Sequence, residues 1–465
     1  MQRRDFIKAA SLGAAALGGT QLQGCGDANA ATTDMTVQNA RIVTMDDSLG
    51  DFSRGDITIS QGKILAVGRN LTPIGDVIDG TNFIAIPGTV NCLDHMWTSV
   101  FKGLVGDNAA VAYTPAKVAL GPYTTPDDAY AATYFSSLAF LNAGITTVSN
   151  QNHNAKSEAH VEQGIKAMAD AGIRGYMNYG YYDGQPNTQA TDWVAVRSIR
   201  DKITAGLGNG LVSLAFFPRG SSALGAALFN SEVQNALSLG LPLSPETASS
   251  ADLALLDALG AIGPKLHYLV GTSVPNAADL ALAASKGASV QAEPFTFFNT
   301  GAPNALAAVA AAQNSGVNLG LSTDNLTGAS TPSILDQARS LTITMHGVGA
   351  DGFTYKHKTS MKAATINGAR ALNMQDKIGT LTPGKLADVV LIRTNTLTMT
   401  NTEDLNPYRL LMGAQINDVD TVIVGGAVVK RNGTMLNVDI NHVHELLSAS
   451  LARLRKAGNW PTVPF

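Results

Sequence analysis

The chain has 465 residues, 45% of them hydrophobic and only 15% charged, so it can bury a large core and is not a disordered polypeptide. A formal net charge of −4, with no basic run beyond the first residues, excludes the positive field that holds nucleic acid. Two cysteines, Cys25 and Cys92, are too few for a disulfide framework or a thiolate metal cluster.

Residues 1–31 read as an address and not as fold. Arg3 and Arg4, followed by Asp5, Phe6, Ile7 and Lys8, have the pattern of a twin-arginine export signal, and Ala9 to Gly19 supply a short apolar stretch. That stretch is too short to span a bilayer. Two processing sites fit: a lipobox at Leu22, Gln23, Gly24 and Cys25, which would anchor the chain by lipid at Cys25, and a simple cleavage site at Ala28, Asn29 and Ala30. Both predict a chain that passes the twin-arginine export machinery already folded and works in the periplasm, outside the cytoplasmic membrane.

From 33 to 86, Val, Ile and Thr recur at period two between Gly, Asn and Asp, as in "GDITISQGKILAVG", which predicts short strands with tight turns. A second such set returns from 383 to 440, in "ADVVLIRT" and "DTVIVGGAVVKRNG". Each set is too small to fold alone, so the two predict one β-sandwich built from both chain ends. Between them, from 87 to 382, apolar strand-like runs alternate with Ala-rich helical stretches, for example "GITTVSN" and then "SEAHVEQGIKAMADAG". That alternation predicts an α/β domain with a parallel sheet, closed at this length into a (β/α)₈ TIM barrel with its chemistry at the C-terminal strand ends. Residues 441–465 are expected to form a C-terminal surface helix and tail, with His442 and His444 in solvent.

Several of those strand ends carry reactive side chains. "IPGTVNCLDHMW" ends the first barrel strand with Asp94, His95 and Trp97, "LPLSPET" carries Glu246, "KLHYLVGTS" carries His267, and "LGLSTDN" carries Asp324. Asn150, Asn152 and His153 close the second strand in "TTVSNQNHN", and Glu293 and Phe295 lie in "VQAEPFTFF". Asp94 neighbours His95 and is assigned to the opposite face of its strand. Cys92, buried near a strand end, is a weak nucleophile.

With the split sandwich and the stretch "ATINGARALNMQDKIGTLTPGKLADVVLI", these motifs resemble the amidohydrolase superfamily, in particular its cytosine deaminase and chlorohydrolase-like branch, from about Thr36 to Val438. The resemblance implies one zinc or iron held by a His-x-His pair after the first strand, by histidines after the fifth and sixth, and by an aspartate after the eighth. A glutamate after the fifth strand shuttles protons, and the metal lowers the pKa of a bound water. In this chain the His-x-His places fall on Leu93 and His95, the fifth-strand histidine on Leu243, its glutamate on Glu246, the sixth-strand histidine on His267 and the aspartate on Asp324.

Leucine has no lone pair to give, so the expectation is no resident cofactor. The alternative is one zinc or iron held by the survivors His95, His267 and Asp324. Asp324, Glu246, His95 and His267 are the expected catalytic residues; Trp97, His153, Glu293 and Phe295 are expected to contact substrate. The expected activity is hydrolysis of a non-peptide carbon–nitrogen or related bond of a small cyclic compound, without a metal. A metal-free lyase or isomerase using Asp324, Glu246 and His95, and a non-catalytic binding protein on the same scaffold, are the alternatives. The expected partner is a small-molecule substrate, and a homo-oligomer is compatible with the sequence.

Overall fold

The computed structural model describes residues 33–105, 111–246, 248–270, 276–299, 303–328, 331–349, 354–399 and 406–461. The export signal and the lipobox at Cys25 lie outside the described residues. The strands, in chain order, are β1 (Met35–Ile42), β2 (Phe52–Ser60), β3 (Lys63–Gly68), β4 (Asp76–Asp79), β5 (Phe83–Pro87), β6 (Thr89–Asp94), β7 (Ile145–Asn152) and β8 (Arg174–Tyr179). They continue with β9 (Val212–Phe216), β10 (His267–Leu269), β11 (Ser289–Ala292), β12 (Asn318–Leu321), β13 (Val389–Arg393), β14 (Val419–Val424), β15 (Ala427–Arg431) and β16 (Thr434–Met435).

Both chain ends contribute to one nine-stranded sheet, in the order β16-β15-β14-β13-β5-β1-β2-β3 with β4 paired to β1. The ends meet where β13 runs antiparallel to β5, Leu391 opposite Ala85. The expected sandwich thus appears as a single hydrogen-bonded ladder and not as two separate sheets. The β2–β3 hairpin turns on Gln61 and Gly62, both at positive φ, the pair of left-handed residues that a tight two-residue turn needs. β13 reads as an unbroken apolar run because its two faces serve two cores. Val389 and Leu391 pack with Ile57 and Ile59, whereas Val390 and Ile392 pack with Leu141 and Ile145 of the parallel-strand region. This shared strand fixes the sheet against the rest of the molecule.

The remaining strands are parallel and form an α/β fold. β6-β7-β8-β9 make one ladder and β10-β11-β12 a second. Isolated parallel bridges from Leu243 to Phe216 and to Leu266 connect β9 toward β10, and a bridge from Asp94 to Asp324 connects the end of β12 to β6. Helices alternate with these strands, such as Glu158–Ala171 between β7 and β8 and Ala277–Ser285 between β10 and β11.

The C-terminal helix Ile440–Ala457 does more than lie on the surface. His442 and His444 are exposed, as expected, but Val443, Ser450 and Leu454 are buried. Leu454 and the following Trp460 share a core with Trp97, Phe101 and Leu120, and Arg453 donates to Asp128 and to the Tyr123 carbonyl. The segment after β6, including the helices Met96–Phe101 and Tyr113–Leu120, is thereby clamped beside the strand ends. Among the described residues no helix is long and apolar enough to cross a membrane.

Candidate active site

The site begins where β6 and β12 end. His95 donates its backbone N–H to the Asp324 carbonyl at 2.6 Å, and Asp324 donates its own to the Leu93 carbonyl at 3.2 Å. Held on both sides, Asp324 adopts φ +65°, a left-handed conformation that costs a residue with a Cβ on the order of 1 kcal/mol and persists only where the surroundings impose it. His95 Nδ1 lies 2.9 Å from the Gln151 carbonyl of β7. A carbonyl only accepts, so Nδ1 carries the proton and Nε2 presents its lone pair. That Nε2 is 3.8 Å from Asp324 Oδ1 and 3.9 Å from Glu246 Oε2.

Burial pushes the His95 pKa down to about 4, so the ring is neutral near pH 7. Burial pushes the Asp324 carboxyl up to about 6, against the opposing pull of His95. A neutral imidazole nitrogen with two carboxyl groups, each within 4 Å of it, makes a group able to pass a proton.

His153 joins this group from the loop after β7. Its ring centroid is 4.1 Å from that of His95, it meets Trp97 edge-on at 5.2 Å, and Nδ1 is 3.3 Å from Asp183 Oδ2. Asp183 also binds Lys117 Nζ at 3.1 Å. Burial works against the Asp183 charge, but these two partners hold the carboxyl below its usual range. Around His153 stand Trp97, Tyr181 and Phe217; Phe295, expected in this place, instead has a half-buried ring and donates its backbone N–H to Gln337.

His267 is placed differently from expectation. Its Nε2 lies 2.8 Å from Ser244 Oγ, which accepts from Gln151 Nε2 at 2.6 Å, so it reaches His95 only through two intervening residues. Burial pushes its pKa to about 4 as well. Ser244 follows Leu243, the position where the resemblance implies a histidine, and its hydroxyl occupies the imidazole that a metal would claim. The contact that the structure gives the His267 ring is thus with Ser244.

Glu293 and Asp94 complete the surroundings. Glu293 follows β11, is 4% exposed, and has no hydrogen-bond partner at Oε2. Burial first, and then the charges of Asp324, Glu246 and Asp94, push its carboxyl well above the usual range. Asp94 is fully buried; Oδ2 accepts from Thr323 Oγ1 at 2.7 Å and Oδ1 has no partner. Its carboxyl is likewise raised, chiefly by burial. Asp94 was assigned to the opposite face on the alternation of an ideal strand, but the β6–β7 ladder shifts register between Asn91 and Asp94, and alternation does not survive such an irregularity. Asp183, Lys117, Tyr181 and Phe217 belong to helix and loop segments where no periodic signal marks them.

Comparison with known proteins identifies the lineage. The sequence pattern of the Amidohydrolase family matches residues 84–429. The chain belongs to the amidohydrolase family. A 5-methylthioadenosine/S-adenosylhomocysteine deaminase of Desulforudis audaxviator is 26% identical over 424 residues, which are 87% of this chain and 95% of that one. A 5'-deoxyadenosine deaminase of Methanothermobacter thermautotrophicus is 24% identical over 427 residues, 87% of this chain and 96% of the relative. Among solved structures, a zinc-bound adenosine deaminase from Xanthomonas campestris superposes with a TM-score of 0.78 at 21% identity, covering 90% of this chain and 98% of that one. A zinc complex of the atrazine chlorohydrolase of Arthrobacter aurescens gives 0.73 at 19% identity, covering 90% and 99%. This amidohydrolase is accordingly a hydrolytic enzyme by family.

The donor set of this amidohydrolase does not fit the family's metal. Leu93 and Leu243, 0% and 1% exposed, put carbon where two imidazoles are implied, and His267 is engaged with Ser244. Among the described residues no three His, Cys, Asp or Glu side chains are arranged to hold an ion. Asp324 and Glu246 remain beside His95 Nε2, at 3.8 and 3.9 Å.

Proposed function

We propose that this amidohydrolase hydrolyses a carbon–nitrogen bond of a small ring compound and moves the protons with its own side chains, without a resident metal. The carrying observation is the approach of His95 Nε2 to Asp324 and Glu246 at 3.8 and 3.9 Å with its Nδ1 fixed on Gln151. The relatives' deamination of adenosine derivatives supports an exocyclic amine on a ring carbon that is doubly bonded to nitrogen. Water adds its oxygen to that carbon and gives its proton to ionised Asp324, while Glu246 protonates the ring nitrogen. The carbon–amine bond then breaks as the departing nitrogen takes the proton held by Asp324, the hydroxyl proton of the adduct returns to Glu246, and the products are a ring carbonyl and ammonia. His95 Nε2, neutral, accepts a hydrogen bond from whichever of the two carboxyls is protonated.

The same reading takes the parallel strands as a closed (β/α)₈ barrel, with this group at its C-terminal mouth. The bridges at Leu243 and between Asp94 and Asp324 support it. It also takes the mature chain as a periplasmic protein, supported by the Arg3–Arg4 pattern and by Cys25. Asp324→Asn, assayed by ammonia release against a panel of aminopurine nucleosides and cyclic amidines in chelator, tests the chemistry. The reading expects turnover by the wild type and its loss in the variant. Equal turnover by both contradicts it.

A further inference from the structure

Three buried polar side chains beside the site take no part in the proton transfer drawn above. Gln151 lies near the end of β7, Ser244 follows the residue that bridges to β9 and toward β10, and His267 opens β10. They are 0%, 0% and 2% exposed. In the strand order β8 and β9 stand between Gln151 and Ser244, so a contact between these two side chains crosses from one side of the parallel strands to the other.

Their contacts run as a chain. The Gln151 amide lies 2.8 Å from the Ser244 carbonyl and 2.6 Å from Ser244 Oγ. A carbonyl only accepts, so the nitrogen of that amide, and not its oxygen, faces Ser244. The Ser244 hydroxyl then has its own proton to give, and His267 Nε2 takes it at 2.8 Å. The anchor is itself fixed by backbone: the Ser244 N–H donates to the Phe216 carbonyl at 2.9 Å and the His267 N–H to the Leu243 carbonyl at 3.2 Å.

The main chain of Gln151 meets the site, since its carbonyl receives His95 Nδ1 at 2.9 Å. Strand pairing braces that carbonyl on one side only. The β6–β7 ladder slips between Asn91 and Asp94 and ends with Asp94 opposite Asn150, one residue before Gln151, whereas β8 continues to pair along β7 through Asn152. The amide tether to Ser244 supplies a second restraint where the β6 ladder has stopped. Which nitrogen of a neutral imidazole carries the proton is set by the partner of the other, so the place of this carbonyl decides the His95 tautomer.

We propose that Gln151 is a positioning residue for His95. Its side chain, held by Ser244 and His267, keeps the end of β7 where its carbonyl fixes the proton on His95 Nδ1 and aims Nε2 at Asp324 and Glu246. An orientation that the family resemblance assigns to a metal bond comes here from a hydrogen-bond chain, and Ser244 adjoins Leu243, one of the two positions where an implied imidazole is replaced. The consequence for turnover rests on the hydrolase reading; the state of the His95 ring does not.

The test is a long-range proton–nitrogen correlation spectrum of the whole protein, labelled at histidine, near neutral pH and without substrate. His95, assigned by the signal lost in His95→Gln, should appear in the wild type as the Nδ1–H tautomer. In Gln151→Leu it should move toward a mixture of both tautomers, and kcat for ammonia release should fall about tenfold or more with KM retained, the usual cost of losing an orienting partner. Ser244→Ala should move it less, because the Ser244 carbonyl remains, and Ser244→Thr, which keeps a hydroxyl, should restore the wild-type signal. If Gln151→Leu does not fold, the two Ser244 variants decide by the same spectrum. An unchanged Nδ1–H signal in Gln151→Leu, or in Ser244→Ala where that variant must decide, overturns the proposal. So does a wild-type His95 protonated at Nε2, or a moved tautomer with kcat unchanged. The two readings fail separately: a tautomer that depends on Gln151 with no substrate turned over sinks the hydrolase reading alone, and ammonia release beside a tautomer indifferent to Gln151 sinks this inference alone.

Discussion

Among the described residues, two of the regions that bury charge treat it in opposite ways. Where the nine-stranded sheet meets the parallel strands, Asp388 and Arg174 are 3% and 8% exposed and pair at 3.1 Å, and Asp388 Oδ1 also accepts the Gly425 N–H at 2.7 Å. Each charge there is answered. At the strand ends, Asp94 and Glu293 are buried to the same degree, and each keeps an oxygen with no partner. Folding alone would select against such groups, since an unpaired buried polar atom costs on the order of 1–3 kcal/mol. The difference marks Asp94 and Glu293 as buried acids that the surrounding fold does not fully answer.

Substitutions can break this contrast, and the largest effect is expected at the strand ends. Asp324→Asn should lower turnover by about 10²–10⁴-fold, the usual contribution of a general base, with the melting transition retained. Asp324 must be ionised to accept a proton, and its carboxyl is raised to about 6 among His95, Glu246 and Lys117. Wild-type kcat/KM should therefore rise with pH through about 6.

In the other region, Asp388→Ala leaves the Arg174 charge buried and unanswered, and denaturant unfolding should register a loss of about 3–5 kcal/mol. The same change should leave turnover at the strand ends untouched in the folded protein. His267 sharpens the contrast through pH. Its folded pKa of about 4 lies below the ordinary 6.5, so below about 6.5 the unfolded chain takes up the proton first and stability falls until about 4. His267→Gln should flatten that acid limb by on the order of 3 kcal/mol in denaturant titrations between those pH values.

The smallest effect concerns Glu293. Its carboxyl is raised in the folded state, so its contribution is full below its ordinary pKa and is lost as pH rises toward the folded one. Glu293→Gln should therefore lose less stability than the wild type as pH rises, read as a smaller alkaline decline in melting temperature.

Much of this arrangement is legible in the chain. The run Val389 to Ile392 announces a strand buried on both faces, and the family resemblance assigns to one site His95, Glu246 and Asp324, of which the structure brings the two acids within 4 Å of His95 Nε2. Leu93 and Leu243 stand where the resemblance implies two imidazoles. Asp94 escapes because the ladder slips between Asn91 and Asp94, and a slip of that kind has no local signature in "NCLD". The hydrogen bond of His267 to Ser244 is not legible, because that pairing depends on two segments distant in sequence. The C-terminal helix shows its amphipathic pattern but not its partner, since Leu454 meets Trp97 and Phe101 only in the folded molecule.

The most direct test of the central claim couples metal content to turnover. Protein purified without added metal and treated with chelator is assayed for zinc and iron by elemental analysis and for ammonia release on aminopurine and amidine substrates, beside Asp324→Asn. The account predicts metal far below one atom per chain and turnover that persists in the wild type but not in the variant. Stoichiometric zinc or iron, with activity lost on its removal and regained on its return, would contradict it.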